Sequence, residues 1–159
     1  MVNQRWVFIA HALDKPGTLT AAASVFSNRG VSLEAILGSG IAATTIENGR
    51  LILSFRATER KQIMLLRALE RLSTISHVEV YRYDNPSLRA IAVAKVAVSA
   101  SLNEQLPEQS PELEVEVLTQ NETEQTVLFT GKTIAVETAI DQLRQQNTLQ
   151  DVVMSVITI

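Results

Sequence analysis

Three stretches of this chain carry residue types that could do chemistry. The first is Asp14-Lys15-Pro16-Gly17-Thr18-Leu19, a charged turn that opens into an apolar-periodic run. A turn leading into a helix leaves the first backbone N–H groups without intrahelical acceptors. The helix dipole adds positive potential there, so this is chemistry for holding an anion such as a carboxylate. Gly17 lets a ligand or another chain approach the main chain closely, and Pro16 has no N–H to lose at a helix entrance. Two uses are open to Asp14: capping helix N–H groups, or accepting hydrogen bonds from the ammonium of an amino-acid ligand. The second stretch is Gly131-Lys132-Thr133, which ends as a phosphate-binding loop ends. It has Thr126 where the G-x-x-x-x-G-K-[ST] spacing needs glycine, so a turn followed by a Thr cap is the expectation. The third is His11, on an apolar-rich run beside the Asp14 turn, which either reaches a ligand or is a strand residue with a satisfied ring.

Much other chemistry is excluded. The chain has no cysteine and only two histidines, His11 and His77, with no partner at a telling spacing. Thiolate chemistry, disulfides and cysteine nucleophiles are absent, and no His/Asp/Glu pair recurs at zinc-like spacing. No nucleophile stands with its base and no cofactor loop is complete, so catalytic residues, metal and cofactor are all expected to be none. Asn121-Glu122-Thr123 matches a glycosylation sequon, which has meaning only for a secreted chain. No apolar run approaches the length of a membrane span, and Arg5 and Trp6 stand where a secretory signal would begin its apolar region, so the expectation is a soluble, cytoplasmic protein.

The elements that must position the turn follow from periodicity. Trp6 to Ala12 reads as a strand, and Leu19, Ala22, Ala23 and Phe26 keep helical spacing. Gly30 stands where a left-handed cap is cheapest, and Val31 to Gly38 reads as a second strand. Asn48-Gly49 is a hairpin signal before a strand at Arg50–Ala57, with Leu51, Leu53 and Phe55 on one side and Ile52, Ser54 and Arg56 on the other, half-buried. Thr58 caps a helix that carries Leu65, Leu66, Leu69 and Leu72 to Ser73, and His77–Tyr83 closes the unit as a strand. The order is β-α-β-β-α-β, an α+β unit with two helices on one face of an antiparallel sheet.

Charge divides the chain where the turn residues Asp84-Asn85-Pro86-Ser87 fall. Through Asp84 there are ten Lys/Arg against seven Asp/Glu, and from Asn85 onward four against ten, which reproduces the net −3. Two domains are expected, 1–84 and 88–159. The balance is too near neutral, and too free of basic runs, to call for nucleic acid. The second half repeats the first imperfectly. Leu88–Ala100 is a strand, Leu113–Leu118 and Thr126–Thr130 form a hairpin, Val136, Ala139, Ile140 and Leu143 mark a helix, and Val152–Ile159 is a last strand. The first helix is missing from this pattern, because Ser101–Glu112 carries Pro107 and Pro111 and reads as an acidic loop.

At this point the residues resemble a known family. Asp14-Lys-Pro-Gly17-Thr-Leu19, then Phe26-Ser-Asn-Arg-Gly30, then a strand carrying Glu34, is similar to the ACT domain, an amino-acid-sensing module of biosynthetic enzymes. The Phe-Ser-x-Arg-Gly-x-x-x-Glu run most resembles the first ACT domain of the acetolactate synthase small (regulatory) subunit family. Leu88-Arg-Ala-Ile-Ala-Val-Ala-Lys-Val, the Thr130-Gly131 turn and Asp151-Val-Val are similar to that family's second domain. The resemblance implies tandem ferredoxin-like ACT domains, the second without its first helix. It also implies that first domains pair side by side in a homodimer or higher assembly, with a branched-chain amino acid (valine, leucine or isoleucine) held between them. The binding residues so implied are Asp14, Lys15, Pro16, Gly17, Thr18 and Leu19 from the turn of one protomer and, from the second strand of the other, Ser32, Ile36, Leu37 and Gly38. Where valine-sensing members often carry asparagine, this chain has Asp14 and Ser32. An ionised aspartate only accepts, so a ligand's ammonium must face Asp14.

The function implied is a non-catalytic regulatory subunit whose partner is the catalytic large subunit of acetolactate synthase, with no membrane and no nucleic acid involved. Two rivals remain: a free-standing ACT-type amino-acid sensor with another partner, transcription included, and an assembly module whose turn only caps a helix.

Overall fold

The computed structural model of the chain describes residues 2–40, 49–98 and 111–158. The chain divides into two compact units, Met1–Asn85 and Pro86–Ile159. In the first, β1 (Gln4–Ala12), α1 (Thr18–Ser27), β2 (Leu33–Gly40), β3 (Gly49–Ala57), α2 (Glu59–Leu69) and β4 (Ile75–Arg82) follow in order. The sheet order is β2-β3-β1-β4, antiparallel throughout, which is the split βαβ arrangement expected. In the second unit β5 (Arg89–Ala97), β6 (Leu113–Gln120), β7 (Glu124–Lys132), α3 (Thr133–Gln145) and β8 (Leu149–Ile157) repeat that order as β6-β7-β5-β8. The Asn48 side of the expected hairpin signal and the expected Ser101–Glu112 loop as far as Ser110 lie outside the described residues.

The core of the first unit lies between its helices and its sheet. Alternation along β1 and β3 sends Trp6, Phe8, Ala10, Leu51, Leu53 and Phe55 to the helix side. Phe55 sits edge-on to Phe8 and to Phe26 of α1, with ring centroids 4.8 and 5.0 Å apart, the geometry aromatic quadrupoles favour. The second core centres on Phe129, Val136, Ile140 and Leu143.

Several expectations need correction. The sheet-facing stripe of α1 is Thr18, Ala22, Val25 and Phe26, so Leu19 is 48% exposed and Ala23 only partly covered. The helix starts at Thr18, and spacing of i, i+4, i+7, i+8 rotates the buried stripe away from Leu19. Pro16 does not open the helix: Gly17 takes the N-cap with φ 89°, a conformation a Cβ would strain. The strand β3 is not half-buried, because Ile52 and Ser54 are buried as well as the opposite face. The helix α2 stops at Leu69, short of Ser73, although Thr58 caps it as expected by accepting from the Lys61 N–H at 3.3 Å. At α3 the N-cap is Lys132, with no side-chain capping bond, so Thr133 is not a cap; it is the buried first residue of the helix. Gly131 has a steric role: a Cβ there would strike the Glu112 carbonyl.

Candidate functional site

The turn between β1 and α1 closes one end of a cleft of about 250 Å³ whose other walls are the last residues of β2 and the first of β3. Asp14, Lys15, Thr18 and Leu19 come from the turn, Gly38, Ser39 and Gly40 from β2, and Gly49 and Leu51 from β3. The turn is held from within. Lys15 N–H donates to the Leu13 carbonyl at 3.0 Å, Thr18 N–H to Lys15 at 3.3 Å, and the Thr18 hydroxyl to Leu13 at 2.9 Å. The carbonyl of Leu13 is thus saturated, and its N–H is anchored to Thr74 at 2.8 Å.

Two features of this cleft are chemical. The N–H groups of Leu19 and Thr20 meet no backbone acceptor among the described residues, and no side chain caps α1. They are therefore available to an anion at the positive end of the helix dipole. Asp14 does not cap them, which removes that reading of its carboxylate. Its side chain lies over Gly40 and Gly49, which face each other across β2 and β3. A Cβ at Gly40 would run into the Asp14 carboxylate, and one at Gly49 would stand 2.8 Å from the Ala12 carbonyl and 3.1 Å from the Asp14 nitrogen. The paired glycines are what allow the Asp14 turn to fold down on the strand ends. They, with Ser39 and Leu51, belong to the cleft but were not among the residues expected from sequence. The signal available was Gly38-Ser-Gly40 and Gly49, small residues bracketing one connection.

The structure gathers Asp14, Lys15, Thr18, Leu19 and Gly38 in this cleft. Pro16 and Gly17 are exposed on the same turn without lining it. Ser32 is exposed just before β2, and Ile36 is 40% exposed. Ile36 and Gly38 pair with Leu53 and Leu51 and share the helix side of the sheet, whereas Leu37 pairs with Ile52 and faces the other side. Within one chain the turn and the Ser32, Ile36 and Leu37 segment are therefore not one site. The strand that bears Ile36 and Leu37 is at the sheet's edge, with its outer backbone edge unpaired by the described strands.

Arg50 also lines the cleft, and its neighbour across the sheet, His11, is a strand residue with a satisfied ring. Its Nδ1 lies 3.1 Å from the Arg50 guanidinium, and because arginine only donates, Nδ1 accepts and Nε2–H points to Glu79 at 2.8 Å. The Tyr81 hydroxyl donates to the other Glu79 oxygen at 2.6 Å. The Tyr81 hydroxyl first, and the His11 ring second, hold the Glu79 carboxyl below its ordinary 4.5 against the opposing effect of burial. The same bond to Glu79 pushes the Tyr81 hydroxyl above its ordinary 10.0. Among the described residues no group of three His, Cys, Asp or Glu could hold a metal ion, and no helix is long and apolar enough to cross a membrane.

No family model matches the chain, and no curated protein does. Solved structures do. The small subunit of acetolactate synthase from Thermotoga maritima is 16% identical, with 99% of this chain and 96% of that chain covered and a TM-score of 0.65. The regulatory subunit of aspartate kinase from Thermus thermophilus is 17% identical, with 89% and 91% covered, at a TM-score of 0.45. A putative glycine cleavage system transcriptional repressor is 11% identical over the whole of both chains, at 0.43. The first of these likenesses establishes the architecture: the chain has the tandem α+β fold with ferredoxin-like units that was expected.

Proposed function

We propose that this chain is a non-catalytic regulatory subunit that binds an amino-acid effector in the Asp14 cleft and adjusts a biosynthetic enzyme, the acetolactate synthase of branched-chain amino-acid biosynthesis. The observation that carries the reading is the placing of opposite chemistries at one small cleft: an exposed carboxylate on Asp14 and uncapped N–H groups at Leu19 and Thr20. A zwitterion matches both, its ammonium to Asp14 and its carboxylate to the helix N-terminus. About 250 Å³ lies below the roughly 300–1,000 Å³ of drug-sized pockets, which suits a small metabolite. Ala12, Leu19 and Leu51 offer apolar walls to an aliphatic side chain, as valine, leucine or isoleucine would present.

The exposed β2 edge is where a second copy would add, so that Ser32, Ile36, Leu37 and Gly38 of one protomer meet the turn of the other. The effector would then act by stabilising one pairing geometry over another, and the catalytic large subunit would respond to that geometry. The working compartment is the cytoplasm.

The test is a thermal-shift screen of the purified protein against the twenty amino acids, followed by co-purification with a thiamine-diphosphate-dependent large subunit. A ligand at a hundred times its Kd stabilises by about 2.7 kcal/mol. A rise with a branched-chain amino acid that vanishes in Asp14→Ala is expected, together with a change in large-subunit activity. A rise with no large-subunit association would leave a free-standing sensor. No rise with any amino acid would reject the effector site.

A further inference from the structure

The helical layer of the first unit carries a different surface. Arg60, Met64 and Arg67 stand at i, i+4 and i+7 on α2 and so share one face of the helix. Beside them, where the end of α1 meets the start of α2, a groove of about 480 Å³ is lined by Arg29, Thr58, Arg60, Lys61, Met64 and Leu65. Among the described residues no carboxylate lines it. Leu65 forms its buried floor, and Met64 is 50% exposed at its wall. Arg29 donates to the Val25 carbonyl of its own helix at 3.1 Å. Among the described residues no salt bridge engages Arg29, Arg60, Lys61 or Arg67.

Four like charges without an ion pair among the described residues, set around an apolar strip, repel one another, and an anionic partner relieves that repulsion. The charges do not converge on one point. Arg60 and Arg67 are seven residues apart on α2, about 10 Å along the axis, with an exposed methionine between them. A single small anion would reach one end of this row, whereas carboxylates one or two turns apart on a polypeptide would reach all of it. Methionine adapts its shape to an apolar partner better than a branched side chain does.

We propose that this face is a docking surface for an acidic amphipathic segment of a partner protein, its carboxylates meeting Arg29, Arg60, Lys61 and Arg67 and its apolar side chains covering Met64. The inference rests on the proposed function only in taking the partner to be a protein. The probe is a fluorescent amphipathic peptide with Glu on one helical face and Leu on the other. It is compared, by anisotropy at low salt, with a shuffled peptide of the same composition and with a random-sequence DNA duplex. The amphipathic peptide should bind, weaken as salt rises, and lose about tenfold in affinity to R60E/R67E protein. R60Q/R67Q, which removes charge without reversing it, should show a smaller loss in the same direction. No binding, equal binding of the shuffled peptide, binding of DNA as tight as of the peptide, or indifference to both double variants would each overturn the proposal. The amino-acid thermal shift separates the two readings. Retained in R60E/R67E that has lost the peptide, it supports docking on α2. A shift in the wild type with no peptide binding sinks the docking surface alone, and peptide binding with no shift sinks the effector site alone.

Discussion

Gly40 and Gly49 oppose each other across β2 and β3 beneath the Asp14 turn, yet alanine at the two positions should behave differently. Neither glycine has a positive φ, so the cost of a side chain is steric and not conformational. At Gly49 the new Cβ would lie 2.8 Å from the Ala12 carbonyl and 3.1 Å from the Asp14 nitrogen. Both are backbone atoms, and Ala12 is fixed in the β1–β3 ladder, so the end of β1 must move. Overpacking of this kind costs about 1–3 kcal/mol, and a unit of this size loses about 4–8 °C in Tm per kcal/mol. At Gly40 the Cβ meets the Asp14 carboxylate, the free end of an exposed side chain that can turn away. Stability should change by no more than about 0.5 kcal/mol, but the carboxylate leaves its place and the amino-acid thermal shift should fall. The readout is direct because Trp6 is the only tryptophan and is buried in the first unit, its indole N–H donating to Ala57 at 3.1 Å. Tryptophan fluorescence during urea unfolding therefore reports this unit alone. If Gly40→Ala costs as much as Gly49→Ala, or if Gly49→Ala is neutral, the packing argument and the turn geometry behind it are wrong.

Other outcomes follow from the same structure. Thr58→Ala should destabilise the first unit by about 1 kcal/mol through loss of the α2 cap, and Thr58→Ser should restore most of it, as measured by urea titration. Glu79 titrates below 4.5 in the folded state. It therefore contributes stability that is present above that value and lost as pH falls through its lowered folded value, so Glu79→Gln should flatten the acid limb of Tm against pH. The same substitution should bring the Tyr81 hydroxyl back toward its ordinary 10.0, visible in the ring resonances of an NMR pH titration. Phe129→Ala should lower the stability of the second unit by about 3–5 kcal/mol, because Phe129 is fully buried in that core; urea unfolding followed by circular dichroism should show the loss.

The fold was legible because both units write their periodicities plainly. Leu51, Leu53 and Phe55 alternate, Leu65 and Leu69 repeat at helical spacing, and glycines or capping residues stand where elements change. What periodicity misjudged was which stripe of α1 is covered and how far β3 is buried. Leu19 fits a helical face on paper, but a ten-residue helix lays only one narrow stripe on the sheet, and that stripe is set by where Gly17 lets the helix begin. Ile52 and Ser54 read as the solvent side of a strand, yet β3 is an interior strand of its sheet, and alternation says nothing about what covers the second face.

The site was half legible for a related reason. A charged turn before a helix announces itself locally, so the Asp14 turn could be singled out from its residues, while Lys15, Thr18 and Leu19 came only with the family resemblance. Gly40 and Gly49 could not, because their role arises only when β2 and β3 pair and the turn descends on them, a relation between Asp14 and residues 26 and 35 positions further along the chain that no local pattern encodes. The same holds for Arg29, Arg60 and Lys61, which look like ordinary solvated charges until α1 and α2 meet. That difference orders the experiments. Substitutions in the turn test a reading the sequence already suggested, whereas the glycine pair and the α2 arginines test contacts that exist only if the fold is right. Loss of the effector shift in Asp14→Ala alone would fit any turn that binds an amino acid. Its loss in Gly40→Ala as well, with stability kept, would fit only a turn seated on the β2 and β3 ends.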